Sequence, residues 1–111
     1  MATMKMPTAV GSVAEAFFAI ANNSTMITVP AGSTYAINNI PSATKIITFN
    51  PSISEVTIWE DGTSTYAIEN TSVIANPQAS QMNVYVYSYA NNTITLKSES
   101  GAARNVWVAY M

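Results

Sequence analysis

The chain has 111 residues, of which 49% are hydrophobic and only 9% charged, and its formal net charge is −2. It contains no cysteine and no histidine, which excludes disulfides, Cys/His zinc sites, Cys nucleophiles and Ser-His-Asp triads. Four Lys and Arg are too few for a phosphate-tracking surface, so no nucleic-acid partner is expected.

Residues 1–12 carry Met1, Met4 and Met6 beside Lys5 and Pro7 with little periodicity. They read as an N-terminal arm lying on a neighbour, since methionine adapts to irregular apolar grooves. A signal-peptide pattern (Lys5, an apolar stretch from Val10, then Ala19-Ile20-Ala21) is interrupted by Pro7, Gly11 and Glu15, which argues against it. The longest apolar run, Ala16-Phe17-Phe18-Ala19-Ile20-Ala21, falls well short of the ~20 residues a membrane helix needs, and no membrane partner is expected. Two readings compete over residues 12–21. Ser12-Val13-Ala14-Glu15 reads as a capping box before a short helix. Alternatively Phe17 to Ala21 forms a strand that turns at Asn22-Asn23-Ser24. The strand is preferred, because two adjacent Phe and an Ile suit burial in a sheet.

From there on, β-branched and aromatic segments are punctuated by turn residues at roughly 8–12-residue spacing, the pattern of a sandwich or barrel. Predicted strands cover residues 25–29, ending at Pro30-Ala31-Gly32, and 34–37, before Asn38-Asn39-Ile40-Pro41. Strand 45–49 is closed by Asn50-Pro51, 55–60 and 63–68 are joined by Asp61-Gly62, and 72–75 ends at Asn76-Pro77. Strands 82–89 and 93–98 turn through Ala90-Asn91-Asn92, and 105–110 follows Gly101-Ala102-Ala103. The expected fold class is all-β: an antiparallel β-sandwich, jelly-roll or immunoglobulin-like, of about eight strands, with residues 13–111 as its single domain. Four N-x-S/T sequons, at Asn22, Asn23, Asn70 and Asn91, fall in predicted turns.

Two hairpins fix the faces. Asp61-Gly62 supplies the positive-φ pair of a type I′ turn. A plain two-residue loop then opposes Trp59 to Ser64, Ile58 to Thr65 and Val56 to Ala67. Val56, Ile58 and Ala67 share one face; Thr57, Trp59, Tyr66 and Ile68 share the other, with Trp59 and Tyr66 as diagonal neighbours. In the second hairpin a two-residue loop would bury Lys97 opposite Val86, which is costly. A three-residue loop instead opposes Val86 to Leu96 and Ser88 to Ile94. Val84, Val86, Ile94 and Leu96 become core, and Tyr85, Tyr87 and Tyr89 form a stripe on the outer face. In the last strand Val106, Val108 and Tyr110 alternate with Trp107, Ala109 and Met111, so neither side is polar. A single-sheet exterior alternates apolar with polar residues. Either the sandwich is thicker than expected, or some outer faces meet another protein.

The candidate interaction residues are Trp59, Tyr66, Tyr85, Tyr87, Tyr89, Trp107 and Tyr110, because an aromatic ring with a polar tip suits a partner backbone or a glycan. No catalytic residue stands out. The carboxylates Glu15, Glu55, Glu60, Asp61, Glu69 and Glu99 show no pairing across a cleft and no calcium-loop spacing; Glu60, Asp61 and Glu69 are the single candidate grouping for a shared ion. The four glycines form no phosphate loop. No metal, cofactor or enzymatic activity is expected.

Ser (12), Thr (13) and Asn (11) fill about a third of the chain, giving a neutral surface with little repulsion between copies. The segments Thr25-Met26-Ile27-Thr28-Val29-Pro30-Ala31-Gly32-Ser33-Thr34 and Asn105-Val106-Trp107-Val108-Ala109-Tyr110-Met111 resemble those of small β-sandwich structural proteins of tailed bacteriophages: head decoration (cement) proteins and tail or fibre proteins. The resemblance spans residues 25–111 and lies in style rather than in a fixed site pattern. It implies a non-enzymatic virion component, often trimeric, whose partners are its own copies and a capsid or tail protein. The alternative is an extracellular carbohydrate-binding module using exposed Trp and Tyr.

Overall fold

Turn chemistry sets the strand boundaries. The computed structural model describes residues 24–70 and 72–111; the arm at 1–12 and the strand-or-helix segment at 12–21 lie outside them. Nine strands occur among the described residues, against about eight expected: β1 (Ser24–Val29), β2 (Thr34–Ile37), β3 (Lys45–Asn50), β4 (Glu55–Glu60), β5 (Thr63–Glu69), β6 (Ser72–Ala75), β7 (Val84–Ala90), β8 (Thr93–Ser98) and β9 (Arg104–Tyr110). A 3-10 turn, Ala79–Gln81, precedes β7. The order in the large sheet is β1-β9-β3-β4-β5-β6 and in the small sheet β2-β8-β7. All pairings are antiparallel. The result is an open sandwich, not a closed barrel.

The inter-sheet core follows the expected parity. Val84, Val86, Ile94 and Leu96 of the small sheet pack with Ile27, Val29, Ile46, Val106 and Val108 of the large one. β8 alternates strictly, with Ile94, Leu96 and Ser98 buried and Thr93, Thr95 and Lys97 half-buried on the other side. This is the apolar-in, polar-out pattern of a sheet with one wet face.

Both hairpins carry a β-bulge that the sequence reading lacked. In β4–β5, Trp59 opposes Ser64 as expected, but Ile58 opposes Tyr66, leaving Thr65 as the extra residue. Its hydroxyl donates to the Ile58 carbonyl at 3.2 Å. The inserted residue inverts parity downstream. Tyr66 and Ile68 therefore join Val56 and Ile58 on one face, while Ala67 joins Thr57 and Trp59 on the other. The Trp59–Tyr66 pair is thereby corrected: the two rings lie on opposite sides of the sheet.

In β7–β8 the loop is two residues, not three, because Ala90 opposes Thr93. Asn91 and Asn92 both take positive φ, 54° and 62°, as a type I′ turn requires. Val86 still opposes Leu96, because Tyr87 bulges out; Ser88 then opposes Thr95 and Tyr89 opposes Ile94. The bulge breaks the expected tyrosine stripe. Asn tolerates the left-handed region through local hydrogen bonding, which Ala lacks. Asn92→Ala is therefore expected to destabilise the domain by about 1 kcal/mol in urea unfolding, and Asn92→Gly to be neutral or better.

The large sheet has a second apolar face. Ile47, Val56, Ile58, Ile68 and Ala109 form a separate buried cluster, with Phe49 and Tyr66 packed against it. The strand registers place these side chains on the face turned away from the small sheet.

Candidate functional site

The seven candidate aromatics do not form one surface. Trp59 is buried in the inter-sheet core, where it meets Tyr89 edge-on at 6.1 Å and 85°. The Tyr89 hydroxyl donates to the Ile40 carbonyl at 2.6 Å, pinning the connection between β2 and β3. Tyr85 is buried against Ala67 and Met82, and its hydroxyl donates to Glu99 Oε2 at 2.8 Å. Burial, and then that hydrogen bond to a carboxylate, push the Tyr85 phenol up to about 12. Trp59 and Tyr85 are thus packing residues with no ring face left for a partner.

Tyr66 and Trp107 are half-buried on the outer face of the large sheet. Tyr87, at the bulge, is 61% exposed, and Lys97 Nζ sits 5.3 Å from its ring centroid. That lysine also lies 3.7 Å from Glu99 Oε2.

Tyr110 joins a residue the sequence reading passed over, Tyr35. Both are 38% exposed. They line a cleft of 330 Å³ with Thr25, Ile27, Ile37 and Val108. The registers explain why. Tyr35 opposes Leu96 and Ile37 opposes Ile94, so β2 turns both toward the inter-sheet space. Ile27 opposes Val106 and Thr25 opposes Val108 on the facing sheet. The cleft is the sandwich interior opening to solvent between β1–β9 and β2. Its lining is aliphatic, phenolic, hydroxyl and amide, with no acid–base pair among the described residues. The sequence signal for Tyr35 was a lone aromatic in a four-residue strand, visible only once β2 was known to be an edge.

The polar interior lies elsewhere. Glu55 is buried, and its two oxygens accept the backbone N–H groups of Asn83 at 2.7 Å and Val84 at 3.0 Å. Beside it the Thr48 and Thr57 hydroxyls hydrogen-bond each other, and Asn50 Nδ2 donates to Asn83 Oδ1 at 3.0 Å. Asn50 Oδ1 is buried without a hydrogen-bond partner. Burial raises the Glu55 carboxyl above its ordinary value; the two backbone donors lower it, and Glu69 raises it further. These groups tie the start of β7 to the inner face of β3 and β4, a structural clamp.

The grouping of Glu60, Asp61 and Glu69 is not brought together. Glu60 and Asp61 sit at the turn end of the β4–β5 hairpin, whereas Glu69 opposes Glu55 at the far end. Glu60 instead faces Lys45 at 3.8 Å. Among the described residues no group of three or more His, Cys, Asp or Glu is placed to hold a metal ion, and no helix is long and apolar enough to cross a membrane. No family model, curated protein or solved structure matches the chain.

Proposed function

We propose that the chain is a non-enzymatic structural protein that assembles with copies of itself through the β2 edge and its adjoining cleft. The observation that carries this reading is the state of β2. It ends the small sheet, and Thr34, Tyr35 and Ala36 are all exposed. In an antiparallel ladder half the backbone groups of an end strand point outward, ready to pair with another strand. Soluble proteins commonly guard such edges with charge, proline or a bulge. β7, at the other end of the small sheet, has its bulge at Tyr87; β2 has no charge, no proline and an unbroken register. An added strand would gain main-chain hydrogen bonds and place a side chain in the cleft between Tyr35 and Tyr110.

The low charge content and the resemblance to phage decoration and tail proteins support placing this assembly in a virion. Light scattering after size exclusion at micromolar concentration tests the first part. Wild type is expected to run as a discrete oligomer and Ala36→Lys, which adds an edge charge at an exposed position, as a folded monomer. A wild-type monomer at every concentration overturns the reading. The virion placement is tested by the gene's neighbours, which should encode other particle components; a metabolic locus overturns it.

A further inference from the structure

We infer that the strand added at the β2 edge is β2 of a second copy, paired antiparallel about a twofold axis at Tyr35, so that Thr34 of each copy faces the partner's Ala36. This pairing rests on the proposed assembly through the β2 edge and gives it a partner strand and a register. The starting observation is which backbone groups of β2 are already used. The Ser98 N–H donates to the Ser33 carbonyl at 2.9 Å. From there β2 runs against β8 in unbroken register, with Tyr35 opposite Leu96 and Ile37 opposite Ile94. Hydrogen-bonded and non-hydrogen-bonded pairs alternate along an antiparallel ladder. Tyr35 and Ile37 therefore turn their N–H and C=O groups toward β8, as Ser33 does its carbonyl, and Thr34 and Ala36 turn theirs outward. Both of these residues are exposed, and β8 is the sheet neighbour of β2 among the described residues.

Two outward residues separated by one inward residue make a self-complementary edge. When a second β2 lies antiparallel with Thr34 opposite the partner's Ala36, both cross-strand pairs are of the hydrogen-bonded kind. Every outward N–H of either strand then meets a carbonyl of the other. Sliding one copy by two residues leaves half of these groups without a partner inside the strand. The pairing is isologous and closes at two copies. β6 also ends a sheet and exposes Val73, but joining β2 to a partner's β6 is a head-to-tail contact that leaves a β2 edge open at the end of every open chain.

Charge permits the contact. β2 itself carries none, and Lys97 faces Thr34 from β8. Across the paired edge the two Lys97 positions are held apart by three strand spacings, roughly 14–15 Å, beyond the ~8 Å screening length at physiological salt. Each lysine also has Glu99 at 3.7 Å. At the axis, Tyr35 and the partner's Tyr35 form a non-hydrogen-bonded pair, with Cα atoms about 4.5 Å apart. Tyr35 lines the cleft with Tyr110, so the pairing sets the two clefts edge to edge.

Cysteine cross-linking of the full-length chain tests the register, since the chain has no cysteine of its own. In the paired edge the two Tyr35 positions fall within the ~4.4–6.8 Å Cα separation of a disulfide, whereas the two Ala36 positions lie about 8 Å apart, too far to bridge. Under mild oxidation at micromolar concentration, Tyr35→Cys is expected to convert to a disulfide dimer on a non-reducing gel and Ala36→Cys to stay largely uncross-linked. Cross-linking of Ala36→Cys as readily as Tyr35→Cys overturns the proposal, as does its absence from both folded variants. Wild-type light scattering separates the two levels. A discrete oligomer that Ala36→Lys dissolves, without the Tyr35→Cys cross-link, overturns the β2–β2 register alone; a wild-type monomer overturns the assembly with it. A second measurement needs no substitution. The Thr34 and Ala36 amides of wild type should exchange with deuterium severalfold more slowly in the assembled protein than after dilution to monomer. Equal exchange in the two states overturns the proposal.

Discussion

Glu55→Ala is expected to cost on the order of 3 kcal/mol in urea unfolding, from one buried and one part-buried backbone N–H group left unpaired, the buried one at ~1–3 kcal/mol and the other at less. The carboxylate accepts both the Asn83 and the Val84 N–H where the small sheet begins its last edge. With total domain stability of roughly 5–15 kcal/mol, such a loss endangers folding at elevated temperature. Glu55→Gln keeps the shape but offers one acceptor oxygen instead of two, so a smaller loss is expected. The pH dependence separates the charge from the hydrogen bonds. Burial holds the Glu55 carboxyl above its ordinary value in the folded protein, whereas the unfolded chain releases the proton near 4.5. Between those two values the folded state holds the extra proton, so stability falls as pH rises. The contribution is complete below about pH 4.5 and is lost as pH climbs through the raised folded value. Wild-type unfolding midpoints are therefore expected to drop between pH 4.5 and neutrality, with Glu69 adding repulsion in the same sense, and Glu55→Gln should flatten that slope. Parallel slopes for the two proteins would remove Glu55 as the source.

The same residue shows where the sequence was readable and where it was not. The boundaries of β2, β4, β6 and β8 follow from Pro, Gly and Asn punctuation alone, because those residues act locally on the backbone. The type I′ turn at Asp61-Gly62 has its positive φ angles, 49° and 94°. The bulges were hidden. Thr65 and Tyr87 sit in ordinary β-forming sequence, and neither bulge has a glycine to mark the extra residue. The cost of burying Lys97 led to the right opposition, Val86 with Leu96, by the wrong device. A three-residue loop and a two-residue loop plus a bulge agree at Leu96 and diverge between Ser88 and the turn. That divergence removed the tyrosine stripe and sent Tyr89 into the core. Glu55 was legible in principle: with Thr57 and Trp59 it falls on one face of β4, and Trp59 is an inward residue. The cleft was not legible, since it depends on β2 ending its sheet, and strand order is a long-range property that local pattern does not carry.

The apolar character of both faces of β9 was visible in the sequence, and its consequence is measurable on a neighbouring strand. Ile46 and Ile47 are adjacent in β3, yet they belong to different buried clusters, and both are 0% exposed. In a two-layer sandwich with a wet exterior, truncating the outward one of such a pair would change stability by no more than ~0.5 kcal/mol. Here each of Ile46→Ala and Ile47→Ala is expected to cost about 2–5 kcal/mol, as removal of buried methyl groups does when the site collapses only in part. Ile47→Val, which removes a single methylene, should cost about 0.5–1.5 kcal/mol. Urea unfolding followed by far-UV circular dichroism supplies all three values. If Ile47→Ala proves near neutral while Ile46→Ala is costly, the outer face is no core. If the two cost alike, both faces of the large sheet are buried in the folded protein. Burial of that face leaves the proposed assembly to the exposed strand ends of the sheets, β2 and β6 among the described residues, of which β2 also borders the cleft lined by Tyr35 and Tyr110.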